Sequence, residues 1–233
     1  MLTTEEVDIV LLSLKVSCWS VGASMPFAIA TAYVLDRGRF LGKSLLDAIV
    51  HLPLVLPPVV VGYLLLLGLG RRGPIGGFLE QAFGLTFSFR WTGAALASAI
   101  MGFPLMVRAI RLSFEGIDQG LEAAARTLGA GPVWLFFTVT LPLALPGVLT
   151  GALLSFARGL GEFGATITFV SNIPGETRTI PLAIYGYTQV PGGDLMAMRL
   201  SAVAVALSLL ALLASERSVR RARARVSGHD APR

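Results

Sequence analysis

Long apolar stretches separated by short polar breaks dominate the chain, and about 20 mainly apolar residues are enough to cross a bilayer. Five stretches qualify: Ile9–Leu35, Ala48–Leu69, Trp91–Val107, Pro146–Val170 and Leu195–Ala214. The pattern therefore predicts an all-α polytopic membrane protein with five spans. The acidic Glu5, Glu6 and Asp8 precede the first span where a signal peptide would carry positive charge, so it reads as a retained helix. Pro53, Pro57 and Pro58 predict a kink in the second span, because neighbours in a membrane can re-satisfy carbonyls freed by proline. A Gly-bearing loop, Arg71–Arg90, carries a short amphipathic stretch at Phe78–Phe83. No charge appears from Thr127 to Ala157, which as one helix would measure roughly 46 Å against a hydrocarbon core of about 30 Å. Pro142 and Pro146 are expected to break it, leaving Val133–Thr140 along the interface, anchored by Trp134. After the fourth span come a polar loop (Ser171–Thr179), a short amphipathic helix (Ile180–Gln189) and a Pro191–Asp194 turn.

The polar insert Leu121-Glu122-Ala123-Ala124-Ala125-Arg126-Thr127-Leu128-Gly129, between spans three and four, cannot remain in hydrocarbon. Asp118 suits an N-cap and Gly129 suits the C′ position, where φ is positive. The insert thus predicts a stiff cytosolic helix offered to a soluble partner, with Ala124 and Ala125 permitting close approach. Val139-Thr140-Leu141-Pro142 then returns the chain to the membrane.

Composition supports the membrane reading: 54% of the 233 residues are hydrophobic, 14% are charged, and mean hydropathy is +0.73. The net charge of +5 does not indicate nucleic acid, because the basic residues sit at span ends. They are Arg37, Arg39 and Lys43, then Arg108 and Arg111, and a tail with Arg217, Arg220, Arg221, Arg223 and Arg225. The tail suits anionic membrane lipid, at about 1 kcal/mol per charge. With the insert inside, these residues obey the positive-inside rule, which puts the N-terminus outside and the C-terminus in the cytoplasm; Arg71, Arg72 and Arg90 run against it. The expected organisation is a membrane domain over 1–215, with a coupling loop at about 113–142, and a basic cytosolic tail over 216–233.

Catalytic signals are missing. Cys18 is alone, His51 has no ligand at metal spacing, and no Ser/His/Asp set or paired catalytic carboxylates occur. Gly38–Ser44 is one residue short of a P-loop and follows no strand, so it reads as a basic turn. No cofactor, metal or nucleotide site is expected. Arg158 and Glu162, at i,i+4 inside the fourth span, support two equal readings: an ion pair that fixes packing, or a lining for an anion path. Thr166, Thr168, Ser171 and Asn172 add uncharged donors toward the outer end, for a path or for hydrogen bonds between helices. Lys15 and Arg199 are placed to snorkel to an interface.

The insert resembles the signature loop by which ABC-importer permeases dock on their ATPase. In that family a Glu directly precedes the two alanines before Arg-x-Leu-Gly; here that position is Ala123 and the acid is Glu122, turned by about 100° on the helix. The run Leu160–Pro181, together with Gly42–Asp47 and Pro57-Pro58, resembles the molybdate ABC-transporter permeases over nearly the whole chain to span five. The resemblance implies the type I importer core of five transmembrane helices with a cytosolic coupling helix. It also implies a homodimer in the inner membrane, two ABC ATPase subunits and a periplasmic molybdate-binding protein. Leu121, Glu122, Ala124, Ala125, Arg126, Leu128 and Gly129 would couple to the ATPase; Arg158, Glu162, Thr166 and Thr168 are the candidates for the translocation path. The rival readings are a sulfate or thiosulfate permease of the same superfamily, an ATPase-independent secondary transporter, and a membrane-embedded enzyme. Tungstate is not separable from molybdate by sequence, since the dianions are nearly equal in size.

Overall fold

A computed structural model describes residues 2–227, and every described element is helical. The elements are α1 (Thr4–Arg37), α2 (Lys43–Val55), α3 (Pro58–Leu69), α4 (Pro74–Phe83), α5 (Trp91–Glu115) and α6 (Gln119–Thr127). After these come α7 (Pro132–Leu135), a π turn (Phe136–Thr140), α8 (Leu141–Leu160), α9 (Gly164–Val170), α10 (Ile180–Thr188) and α11 (Asp194–Ser227). Four helical segments are long and apolar enough to cross a membrane, and a fifth is obtained if α2 and α3 together make one span. Of the tail expected over 216–233, residues 228–233 lie outside the described residues.

At three places the structure departs from the sequence expectations. The second span does not kink but turns through 113° between α2 and α3. Leu56 and Pro57 each precede a proline, which disfavours the helical region, and both are extended, with ψ of 141° and 131°. The expected break at Pro142 and Pro146 does not occur: Pro132–Leu160 is one continuous span, about 43 Å long. Here the π turn absorbs the first proline. Leu141 donates to the Phe136 carbonyl, and Pro142 falls in the first turn of α8, where a missing N–H costs little. Finally, the expected fourth span to Val170 stops at Leu160, and the chain breaks at Gly161–Phe163 before the short α9.

Close packing rests on small residues. α5 packs most extensively on α8 and α1, and a Cβ at Gly147 or Gly102 would overlap Ser113 or Ser155. α9 lies so close to α3 that a Cβ at Gly62 would strike the Ala165 carbonyl. One core, with Leu35, Met106, Ile110, Phe114 and Val148, fills the end of the bundle that carries α6. Another, with Ile9, Ile180, Ala183 and Leu200, fills the opposite end.

That opposite end is tied by charge. Glu6, at 1% exposure, caps the start of α1 by accepting from the Thr3 N–H at 2.7 Å, and it pairs with Arg199 at 3.1 Å. Arg199, itself half-buried, is thereby paired with a buried carboxylate. Lys15 stands 3.7 Å over the Trp91 ring in a cation–π contact.

Candidate functional site

α6 forms where the insert predicted. Asp118 caps it, accepting from the Gly120 N–H at 2.8 Å, and Gly129 follows with φ +88°, a left-handed conformation that ordinary side chains resist. Helical periodicity sorts its residues onto two faces. Leu121, Ala124 and Leu128 form an exposed ridge, with Leu121 51% and Leu128 89% accessible. Ala125 is half-buried beside this ridge. Gln119, Glu122, Ala123 and Arg126 face the other way, into a polar cavity of about 670 Å³ bounded by Tyr33, Asp36, Arg37 and Arg39 at the end of α1.

Glu122 is the buried member of α6. Its Oε1 accepts from Arg37 at 3.0 Å and from the Thr140 hydroxyl at 3.0 Å, with Thr140 itself 1% exposed in the π turn. Arg37 also reaches Asp36 at 3.0 Å. Beneath them Tyr33, Phe114 and Phe136 stack edge to face, with centroids 5.0 Å apart for Tyr33–Phe136 and 5.8 Å for Tyr33–Phe114. The offset acid thus points into the fold. The sequence located Glu122 but not its partners. Arg37 read as a span-end charge, and Thr140 only as part of the segment that returns the chain to the membrane.

On the far side of α8, Arg158 pairs with Glu162 at 2.6 Å, as the i,i+4 spacing predicted. Glu162, however, lies in the break after α8. Its Oε1 accepts from the Ala165 N–H at 2.8 Å and so caps the start of α9. The Glu162 side chain is 1% exposed while Arg158 keeps 28%, so the cation is the accessible partner. Thr166 donates to Phe163 O at 2.9 Å and is buried; Thr168 donates to Gly164 O at 3.0 Å and is half-buried. Both hydroxyls therefore bond to their own backbone. Asn172 and Arg178 join at 3.1 Å, and Arg178 reaches Glu5 at 2.9 Å. Within the described residues, no group of His, Cys, Asp and Glu could hold a metal ion.

Residues 24–225 match the family described as binding-protein-dependent transport system inner membrane component. The chain belongs to that family. It is 63% identical to the molybdenum transport system permease protein ModB of Escherichia coli (strain K12) over 92% of this chain and 94% of that one. Its identity to the Haemophilus influenzae ModB is 59%, covering 91% and 92%. The sulfate transport system permease protein CysW of Synechococcus elongatus is further away, at 35% identity over 91% and 75%. The fold matches a chain in the crystal structure of a bacterial ABC transporter that imports alginate, with TM-score 0.74 and 18% identity, covering 94% of this chain and 80% of that one. The all-α type I importer permease fold expected from the sequence is thereby established.

Proposed function

We propose that the chain is the transmembrane half of a molybdate importer. It acts as a homodimer, with two ATPase subunits on the α6 side and a periplasmic molybdate-binding protein at the other end. The observation that carries this is the exposed Leu121–Leu128 ridge on a helix pinned from behind by Glu122. An apolar ridge held outside the membrane and kept stiff suits a protein cleft, and its position beside the Arg37 and Arg111 ends of α1 and α5 suits the cytoplasm. ATP hydrolysis belongs to the partner chain. ModB identity well above that of CysW supports molybdate, with tungstate as an isosteric substrate.

The path would run past the accessible Arg158. Its charge offsets part of the cost of desolvating a dianion, and Glu162 keeps that charge from becoming a trap. Reconstitution tests the proposal: vesicles containing the chain, its ATPase and the binding protein should take up molybdate only with all three present, and excess sulfate should not compete. Oxyanion uptake by the chain alone, or equal uptake of sulfate, overturns it.

A further inference from the structure

α6 packs its backbone against Pro132–Thr140, but it is separated from α1 by the polar cavity of about 670 Å³. Across that cavity runs the Arg37–Glu122 pair, and the same Glu122 oxygen holds Thr140. One carboxylate oxygen therefore joins the last residue of α1, the inner face of α6 and the π turn that leads into α8. The π turn is a local weakness in a long helix, the kind of place where a pull could be absorbed rather than passed on. We infer that Glu122 is a positioning residue. It makes α6, the end of α1 and the π turn one rigid body, so that a displacement imposed on the exposed ridge reaches two spans at once. Because α1 and α8 both pack against α5, moving the pair together changes the angle between spans instead of bending one of them. Arg37 supplies charge and reach; Thr140 fixes the carboxylate against the π turn, so loss of either loosens one arm of the junction.

This inference rests on the docking reading above. It is tested by the ratio of molybdate transported to ATP hydrolysed in the complete reconstituted transporter. E122Q keeps the shape and removes the charge, and should lower that ratio by about tenfold, a coupling loss of ordinary size for two linked sites. T140V should lower it by a smaller factor. The double reversal R37E/E122R should recover part of the loss. Spin labels at positions 39 and 126 give a readout independent of transport, and their distance distribution should broaden in E122Q. A damaged fold would reduce transport and hydrolysis together and leave the ratio unchanged, which overturns the inference. An unchanged ratio with normal rates, or no recovery in the double reversal, also overturns it. Failure of the ATPase to co-purify with the unaltered chain overturns the docking reading itself, whereas a bound ATPase with an unchanged ratio in E122Q overturns the junction alone.

Discussion

Glu122 and Glu162 are built from the same parts, since each is a buried carboxylate held by one arginine and one further donor. They differ in where those parts come from. Arg158 and the Ala165 N–H lie four residues before and three after Glu162, so its site is assembled by one stretch of chain. Arg37 and Thr140 lie 85 and 18 residues from Glu122, so its site exists only when three elements have met. A local carboxylate can stabilise its own helix ends and present a cation, while a long-range one ties separate elements into one moving part. The difference also decides how much each loss should cost.

The largest expected effect is Arg158→Leu, which strands a 1%-exposed carboxylate and should lower stability by about 3 kcal/mol in thermal unfolding of the purified protein. Arg37→Leu should cost less, about 1.5 kcal/mol, because Thr140 remains and Glu122 borders a polar cavity. If Arg37→Leu proves the more destabilising, the contrast between the two sites is inverted. Glu162→Gln sharpens it further. The amide oxygen can still accept from Ala165, so assembly should persist while the freed Arg158 slows molybdate release. Loss of the folded protein without a separate transport defect would make the pair purely structural.

Gly129→Val probes the C-terminal end of α6. No atom lies within 4 Å of the added Cβ, so the main cost is backbone strain at φ +88°, about 1–2 kcal/mol. That cost should appear as ATP hydrolysis uncoupled from uptake, and unchanged coupling would show that the helix end tolerates another conformation.

How much of this was legible in the sequence follows the same division. The first, third and fifth spans, the Asp118 cap, the Gly129 stop and the Arg158–Glu162 pair are encoded within a few residues, and all were legible. The turn at Leu56–Pro57 was half legible: two successive prolines announced a disturbance, but only the extended conformation of both preceding residues makes it 113°. Continuity through Pro142 was not legible, because the π turn that absorbs the proline has no composition of its own. The Arg37–Glu122–Thr140 junction and the Glu6–Arg199 pair were invisible for a different reason, since charge patterns along one helix carry no record of contacts made across the bundle. The Thr3–Glu6 spacing was a capping-box signal that could have placed the Glu6 carboxylate on the start of α1.

The smallest expected effects separate Thr166 from Thr168, which the sequence could not rank. Both hydroxyls donate to carbonyls of their own segment, so neither proton is free for an anion. Thr166 is 1% exposed, and Thr166→Val should change stability by about 1 kcal/mol through the lost hydrogen bond while leaving the molybdate concentration for half-maximal uptake unmoved. Thr168 is half-buried, and its oxygen still bears a lone pair that would repel an approaching dianion. Thr168→Val should therefore be close to neutral for folding and lower the half-maximal concentration slightly if Thr168 borders the path. The sign is the informative part. A rise instead of a fall would mean that the hydroxyl leaves Gly164 and turns to donate to the passing oxyanion.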